Sequence, residues 1–553
     1  MPVIACGKDR IHVEKGTTFE QVVKETSFKD KEHVALIYFN NQMRELSKKV
    51  ETDGVLSLST TRDQAGYMTY CRTAQMMLIK AVREVLGDIR DECQIRIEFS
   101  LGNAYYCVIN DGDYEVSDDF AREVSDEMRR LSERDIPITK KAYPKDIAIE
   151  VFRRQGMMDK VKLFHFRMSS SVNVYQMDGL YDYFYGYMLP RTGYVKQFDV
   201  KAYESGLLLM LPSMNDPDKV DEFTEQVSLF EQLELSNSWG KLVEVNTVGD
   251  LNEKICDGEF QEMILVQEAL QERRIADIAK SIYNREKVRF VLVAGPSSSG
   301  KTTFAHRLSV QLRSFGLHPH IIQMDDYFVN REHTPVDIDG NYMFDVIEAL
   351  DLELFEDDMN ALAAGETIEL PTFDFKLGKR VYKGNTLTFG DDDILIIEGI
   401  HGLNPIMTRG LDDDLKFKIY ISAMTSLNID EHNRIPSSDV RLIRRMVRDA
   451  RTRGNLVVDT INGWQKVRDA EEINVFPYQD EADCVFNSTL NYELAVLKHF
   501  AEPLLFNVRQ SDPAFYEAKR LLKFLDYFVG VDTTAIPTNS ICREFVGGSC
   551  FTM

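Results

Sequence analysis

Residues 295–303 have the clearest potential for chemistry. They read Gly-Pro-Ser-Ser-Ser-Gly-Lys-Thr-Thr and match the pattern GxxxxGK[ST]. Glycines let a backbone turn tightly, so that its N–H groups point at phosphate oxygens, while Lys301 adds a cation for the β- and γ-phosphates and Thr302 a hydroxyl for Mg²⁺. The residues that this pattern predicts to bind a nucleotide are Gly295, Ser297, Ser298, Ser299, Gly300, Lys301, Thr302 and Thr303.

Two elements must position this loop. Residues 290–293 are short, continuous and apolar, which is typical of a buried parallel strand. After the loop, Phe304, Leu308 and Leu312 recur at helical spacing, so the loop is predicted to lie at a helix N-terminus. The alternative is a fortuitous Gly/Ser turn, and the strand–loop–helix context argues against it.

A pair of carboxylates follows a second predicted strand. Residues 320–324 are mostly apolar, and Asp325 and Asp326 come directly after them. Functional groups gather where the strands of an open α/β sheet end. One of the two carboxylates is therefore expected near the phosphates, where it would accept the proton of a hydroxyl that attacks the γ-phosphate. The alternative is an Asp pair that only caps a helix or a turn.

A third strand is predicted over Asp393–Gly399 and ends in the acid Glu398. An acid at this place would contact Mg²⁺ directly or through water. Strand-terminal acids are common, so Glu398 is predicted to contact Mg²⁺ only because the phosphate loop is also present. Residues 415–421 predict a fourth strand.

Several arginines recur on one side of a helix predicted over residues 439–454, namely Arg441, Arg444, Arg445 and Arg448. An exposed helix face normally mixes in glutamate, and this face has almost none. Clustered guanidinium groups in an acidic protein suit the clamping of phosphate by a mobile lid. The alternative for part of these arginines is pairing with acids such as Asp439 and Asp449.

The chain as a whole is acidic, with 553 residues and a net charge of −24. This length predicts two to four domains. The charge argues against broad binding to a nucleic-acid backbone, without excluding a local basic pocket. No apolar stretch is long enough for a membrane span, and the first ten residues lack the apolar region of a signal peptide. With eight scattered cysteines and no CxxC, we expect reduced thiols in a cytoplasmic protein that does not enter a membrane.

Residues 1–62 predict a small mixed domain. Phe19–Glu25 reads as a helix capped by Thr17 or Thr18, and Val34–Phe39 as a strand that continues through an Asn-Asn turn into another strand. This order resembles the TGS domain, a β-grasp module of threonyl-tRNA synthetases and some regulatory GTPases. The alternative is an unrelated small α+β domain.

Residues 63–212 resemble the second additional domain of threonyl-tRNA synthetase, which implies an α+β fold. That family has HxxxH on a helix, and the matching positions here are Arg72 and Met76. Residues 182–193 resemble its Asp-x-Cys-x-Gly-x-His-x-Pro-x-Thr-Gly pattern, with Phe184 and Met188 at the Cys and His positions. Because none of these four is a good zinc ligand, we infer that metal-assisted editing has been lost and that binding, assembly or regulation remains.

Aromatic side chains crowd the positions of the lost ligands, namely Tyr181, Tyr183, Phe184, Tyr185 and Tyr187. We favour the interpretation that they fill the vacated pocket as a core. The alternative is stacking on a nucleic-acid base. Residues 213–285 follow as a charged, helix-rich connector with a long helical periodicity from Phe260 to Ile282.

Residues 286–553 resemble uridine kinases of the phosphoribulokinase/uridine kinase group. The order and spacing agree across residues 295–303, 323–328, 344–345, 373–375, 398–399 and 439–449. The resemblance implies that Asp325 is the catalytic base for a nucleoside 5′-hydroxyl, with Lys301 neutralising the transferred phosphoryl group. It further implies ribose contacts from Asp345 and Arg441, a nucleoside pocket lined by Tyr327 and Phe373, ATP phosphate contacts from Arg444 and Arg448, and Mg²⁺ ligands Thr302 and Glu398.

Two positions depart from that family. Uridine kinases usually have Tyr-Asp-Phe-x-x-His where this chain has Phe373 and Gly378 at the two ends. The family's Tyr and His help to read the pyrimidine, so their loss leaves the preferred base open.

The sequence therefore predicts an α/β P-loop kinase domain, a parallel sheet flanked by helices, preceded by a β-grasp domain and an editing-like α+β domain. The expected function is ATP-dependent phosphorylation of a uridine- or cytidine-type nucleoside with Mg²⁺. Two alternatives stay open: an RNA- or tRNA-associated regulator that uses the N-terminal half, and a kinase for another small hydroxyl acceptor. We expect a homo-oligomer, although its size, the role of the N-terminal domains and the donor preference do not follow from the sequence.

Overall fold

The computed structural model describes residues 1–87, 93–110, 113–337, 340, 342–374 and 377–551, which fall into two compact units. Unit 1 comprises Met1–Glu225, Thr247–Asp250 and Asn428–Arg434. Unit 2 comprises Gln226–Asn246, Leu251–Leu427 and Ile435–Met553. Within the described residues, no helix has both the length and the apolar character that crossing a membrane requires.

In the part of unit 1 that the structure describes, the strands form three larger sheets and one short hairpin. Its strands are β1 (Val3–Cys6), β2 (Asp9–His12), β3 (Val34–Phe39), β4 (Gln42–Glu45), β5 (Gly54–Thr60), β6 (Ile95–Leu101), β7 (Ala104–Ile109), β8 (Thr139–Pro144), β9 (Ser171–Met177), β10 (Leu180–Asp182), β11 (Asp199–Tyr203), β12 (Gly206–Met210), β19 (Asn428–Asp430) and β20 (Asn433–Arg434). Its helices are α1 (Phe19–Glu25), α2 (Gln64–Leu86), α3 (Asp118–Glu133), α4 (Lys145–Arg154) and α5 (Met158–Phe166).

The first sheet of unit 1 has the strand order β2-β1-β5-β3-β4 and packs against α1. Thr18, one of the two predicted caps, begins α1 with a capping box in which its side chain accepts from the Gln21 N–H and the Gln21 side chain reaches back. Phe19, Val22 and Val23 lie on one face of α1 and join the apolar core of this sheet. The other two sheets have the orders β10-β9-β8 and β11-β12-β7-β6.

Unit 2 is an α/β structure. Its strands are β13 (Phe290–Ala294), β14 (His318–Gln323), β15 (Thr367–Asp374), β16 (Lys379–Thr388), β17 (Asp393–Gly399), β18 (Lys416–Ser422) and β21 (Cys484–Asn487). Its helices are α6 (Val227–Leu242), α8 (Phe260–Tyr283), α9 (Lys301–Ser314), α10 (Leu352–Ala363), α11 (Ser437–Thr452), α12 (Val457–Asn474), α13 (Glu493–Phe506), α14 (Phe515–Leu525) and α15 (Cys542–Val546). Helix α7 (Val248–Cys256) has its first residues in unit 1 and the rest in unit 2.

The central sheet of unit 2 has the order β14-β17-β13-β18-β21, and every neighbouring pair is parallel. β13 lies in the middle with all five residues buried, as its continuous apolar sequence predicts. The four strands predicted from the sequence are confirmed as β13, β14, β17 and β18. Because all strands run in the same direction, the loop after β13, the turn after β14 and the end of β17 share the carboxyl edge of the sheet.

Candidate active site

The loop between β13 and α9 is held in place by tight backbone contacts. A Cβ on Gly295 would lie 1.9 Å from the Ile421 carbonyl oxygen, so only glycine fits there. Gly300 has a φ of +88° and forms the N-cap of α9. The Lys301 ammonium donates to the carbonyl oxygens of Gly295 and Pro296, at 3.0 and 3.1 Å. The loop thus has the expected form, with its lysine folded back over it.

Thr302 and Glu398 meet beside this loop. The Thr302 hydroxyl donates to Glu398 Oε1 at 2.8 Å, and Glu398 is buried at the end of β17. Burial raises the pKa of Glu398 to about 7, against the opposing influence of Lys301 and Thr302. A buried carboxylate and a hydroxyl in contact are hard oxygen donors of the kind that Mg²⁺ prefers, so both residues fit the predicted metal site.

The neighbouring acids Asp325 and Asp326 have different surroundings. Both lie on a single 3₁₀ turn, Met324–Tyr327, directly after β14. Asp326 Oδ1 accepts from the Phe373 backbone N–H at 3.1 Å, which ties this turn to β15. Asp325 is accessible to solvent, and desolvation by the surrounding protein raises its pKa while Lys301 opposes the rise. Of the two acids, Asp325 is the one available to a substrate.

The predicted arginine helix is α11, and it packs against the phosphate loop. Arg441 donates to the Ser297 carbonyl oxygen at 3.2 Å, Arg444 to that of Ser298 at 3.3 Å, and Arg445 to the Ser297 hydroxyl at 2.8 Å. The first two arginines are buried, which differs from the solvated lid that their spacing suggests.

The acids that pair with these arginines come from other helices. Arg441 forms a two-pronged pair with Glu471 of α12 at 2.6 and 2.7 Å, and Arg444 pairs with Glu493 of α13 at 2.6 and 2.9 Å. Of the acids expected from the sequence, Asp449 does contact Arg448, at 2.9 Å, whereas Asp439 pairs with Arg520 of α14. Sequence reasoning missed Glu471 and Glu493 because no local pattern links residues that lie tens of positions apart.

A cavity of about 540 Å³ opens beside Thr302. Its wall carries the side chains of Arg448, Arg451 and Arg453 from the C-terminal end of α11. The C-terminal segment, far beyond the phosphate loop in the sequence, also lines it, with Arg543, Glu544, Gly547, Gly548, Ser549 and Phe551. The cavity is rich in cations and touches the phosphate loop, so it suits an anionic ligand.

The residues predicted to contact the nucleoside differ in their exposure to solvent. Tyr327 is fully buried, and its hydroxyl donates to Asp358 at 3.0 Å. Phe373 is buried with its ring edge-on to Phe328, at 5.5 Å between ring centroids, and Asp345 is exposed. Phe375 of the same motif lies outside the described residues. Contacts of Tyr327, Asp345, Phe373 and Arg441 with a nucleoside stay predictions.

Gly378 explains part of the departure from the uridine kinase pattern. Its φ is +65°, and a Cβ there would lie 2.7 Å from Arg331 Nε. Its carbonyl oxygen also accepts from the Arg331 backbone N–H at 2.8 Å. A histidine at this position would require both a strained backbone and a displaced arginine.

In unit 1, three of the four positions that the synthetase resemblance predicts as lost metal ligands hold buried apolar side chains, and the fourth is Arg72. Met76, Phe184 and Met188 are buried, and Arg72 donates to the Tyr187 carbonyl oxygen at 3.5 Å. Tyr183 and Tyr185 are buried as well. This packing favours a core over a surface for base stacking.

Comparisons with known proteins agree with the chemistry of unit 2. The model of the phosphoribulokinase/uridine kinase family matches residues 290–495. A uridine kinase of Macrococcus caseolyticus is 30% identical over 181 residues, which cover 33% of this chain and 78% of that protein. A uridine kinase of Lactobacillus helveticus is 32% identical over 181 residues, or 32% of this chain and 76% of that protein. A solved structure described as a possible uridine kinase from Bacillus stearothermophilus is 23% identical, with a TM-score of 0.28, and the match covers 39% of this chain and 98% of that one.

The phosphate loop, the two strand-end acids and the arginine helix all lie within, and in the order of, this matched region. Since a relative that is 30% identical is matched over most of its own length, the chain belongs to the phosphoribulokinase/uridine kinase family of nucleotide-binding kinases.

Proposed function

We propose that this protein transfers the γ-phosphoryl group of ATP to the 5′-hydroxyl of a nucleoside of the uridine or cytidine type. The observation that carries the proposal is the meeting of Lys301, Thr302, Glu398 and Asp325 at one edge of the parallel sheet. Asp325 and Lys301 each act on the pKa of the other, which supports a joint role for the acid and the loop lysine. The uridine kinases among the relatives support the choice of acceptor.

In this mechanism the phosphate loop holds the donor and Asp325 acts on the acceptor. The Asp325 carboxylate accepts the proton of the 5′-hydroxyl as that oxygen bonds to the γ-phosphorus and the bond to the β-γ bridging oxygen breaks. Lys301 neutralises charge on the transferred group, and arginines of the 540 Å³ cavity, Arg448 among them, serve the phosphate chain. The family resemblance also assigns Arg444 to the phosphate chain; because its guanidinium is buried against Glu493 and the Ser298 carbonyl oxygen, its proposed role is to hold the loop that binds the phosphates.

Thr302 and Glu398 would hold Mg²⁺. When bound, this ion supplies positive charge to the phosphate oxygens. Burial raises the pKa of Glu398, and a cation held beside it would favour the charged carboxylate.

The N-terminal half is proposed to retain the TGS-like and editing-like folds of residues 1–62 and 63–212, without metal-assisted hydrolysis. The buried Met76, Phe184 and Met188 support the loss of that chemistry. The connector over residues 213–285, the kinase domain over 286–553, the cytoplasmic location and the homo-oligomer also stay proposals.

A substrate panel tests the function. The purified protein is incubated with ATP, Mg²⁺ and each of several nucleosides, deoxynucleosides and small sugar or hydroxy-acid acceptors, and the product masses are measured. We expect a nucleoside monophosphate from uridine or cytidine. Phosphorylation of only a non-nucleoside acceptor would point to another branch of the family, and RNA that co-purifies in a salt-dependent manner without any kinase product would favour the regulator.

A further inference from the structure

Two backbone N–H groups of the phosphate loop donate hydrogen bonds to carboxylates from other parts of unit 2. The Ser297 N–H donates to Glu471 Oε1 at 2.8 Å. The Thr303 N–H donates to Glu544 Oε2 at 3.2 Å, and the Thr303 hydroxyl donates to the same oxygen at 2.8 Å. Loop N–H groups of this motif are the donors that cradle the α- and β-phosphates of a nucleotide. Both glutamates thus lie where phosphate oxygens are expected.

The two glutamates differ in how their charge is balanced. Glu471 is neutralised by Arg441 through two short hydrogen bonds. Glu544 is buried, with 6% of its surface exposed, and its charge acts on Lys301, His306 and Arg453, favouring their protonated forms. The same charge also raises the pKa of the nearby Glu398. A second anion bound at Thr303 would lie directly against this carboxylate and be repelled by it.

The chain segment that carries Glu544 is fastened to the nucleotide site. Arg451 of α11 donates to the carbonyl oxygens of Glu544 and Phe545, at 2.8 and 3.1 Å. The Phe545 ring lies under the Arg444 guanidinium at 4.8 Å, and the Phe551 ring stacks on His306 of α9 at 5.1 Å. Two consecutive glycines with positive φ, Gly547 and Gly548, follow α15. The backbone that carries Glu544 is therefore held in place beside Thr303. Rotation about the side-chain bonds of Glu544 is the easiest way to move its carboxylate away from Thr303.

We propose that Glu544 is a built-in competitor of the nucleotide, whose carboxylate occupies a phosphate position on Thr303 and must swing away when a nucleotide binds. One N–H and one hydroxyl hydrogen cannot serve both the carboxylate and a phosphate oxygen, and two anions at this distance repel each other. Glu544 holds the loop through these two hydrogen bonds, and each nucleotide-binding event includes their loss. This segment lies beyond residue 495, so it is an addition to the matched part of the family.

The test measures the affinity of the full-length protein for Mg²⁺-ADP, by calorimetry, in the wild type and in Glu544→Gln. The variant keeps the size of the side chain and removes its charge, so we expect binding about tenfold tighter than in the wild type. Glu353→Gln removes the same charge from an exposed position on α10 and should leave affinity unchanged. Equal or weaker binding by Glu544→Gln would overturn the proposal.

Thermal melts separate competition from simple capping of α9. A competitor predicts that Glu544→Gln is less stable than the wild type without nucleotide but is stabilised more by a given concentration of ADP. A permanent cap predicts an equal loss of stability with and without ADP, which would also contradict the proposal. If Glu544→Gln fails to fold, Glu544→Asp provides a second comparison, because its shorter side chain withdraws the carboxylate from Thr303, and tighter ADP binding than in the wild type is again expected.

The proposal rests on nucleotide binding by the phosphate loop, and that premise has its own check. A wild-type protein that does not bind ADP would refute nucleotide binding itself. Wild-type binding that Lys301→Ala abolishes, together with an unchanged affinity of Glu544→Gln, would refute only the role of Glu544.

Discussion

The Asp326 carboxylate accepts a hydrogen bond from the Phe373 backbone N–H at 3.1 Å, while its neighbour Asp325 remains accessible to solvent. Two adjacent acids of the same type thus have separate tasks. Asp326 joins the turn after β14 to the β15–β16 hairpin, and Asp325, which is exposed, is the acid that we propose to act on a substrate.

This division predicts different outcomes for two matched substitutions. Asp325→Asn should lower turnover by about 10²- to 10⁴-fold, because the amide cannot accept the proton of the attacking hydroxyl. Nucleotide affinity should be unchanged. Asp326→Asn retains an oxygen for the Phe373 N–H and should keep most of its turnover. Steady-state rates and ADP binding check both variants, and a fully active Asp325→Asn protein would reject the assigned base.

The contact of Thr302 with Glu398 predicts a magnesium phenotype. Glu398→Gln still accepts from the Thr302 hydroxyl but has no charge, so the apparent affinity for Mg²⁺ should fall by about 10- to 100-fold. Part of the lost rate should return as the Mg²⁺ concentration is raised. Initial rates over a Mg²⁺ titration measure this, with Glu353→Gln as a charge-matched control. An unaltered Mg²⁺ dependence would remove Glu398 from the metal site.

His401 predicts a pH-dependent stability. It is buried, and within the described residues neither of its ring nitrogens has a hydrogen-bond partner. Burial lowers its pKa from 6.5 to about 4. The unfolded chain therefore takes up a proton that the folded state resists, and stability present above pH 6.5 is lost as the pH falls toward 4.

In urea unfolding, the wild type should lose about 2 kcal/mol more than His401→Leu between pH 8 and pH 5. The exposed His318, replaced by glutamine, is the control and should follow the wild type. Parallel pH profiles for the wild type and His401→Leu would show that His401 does not resist protonation in the folded state.

The positive φ of Gly378 and its closeness to Arg331 predict that a single substitution cannot restore the histidine of the uridine kinase pattern. Gly378→Ala should lower the free energy of unfolding by about 1–3 kcal/mol, through its positive φ and the contact with Arg331. Gly384→Ala is the matched control, because Gly384 has a φ of +79° with no atom within 4 Å of its Cβ position. Urea unfolding should give a larger cost at Gly378, and equal costs would rule out a steric role for Arg331.

The sequence alone predicted the elements of the proposed nucleotide site. A continuous apolar strand, glycines at required positions and acids at strand ends are local patterns, and each predicts its own piece of structure. The sheet edge that collects Lys301, Thr302, Glu398 and Asp325 follows from the parallel direction of the strands. The confirmed strands and the Thr18 cap of α1 belong to the same class of local signal.

The tertiary structure alone decided which charges meet. Arg441 and Arg444 were visible as an arginine face, but their partners Glu471 and Glu493 lie 30 and 49 positions away, on other helices. Glu544 lies 241 positions from Thr303, in a segment without a motif. Buried ion pairs and long-range hydrogen bonds depend on how helices pack, and helix packing is set by summed apolar contacts over the whole unit. For that reason the sequence predicted the phosphate loop, whereas the hydrogen bonds from Thr303 of that loop to Glu544 could be found only in the folded chain.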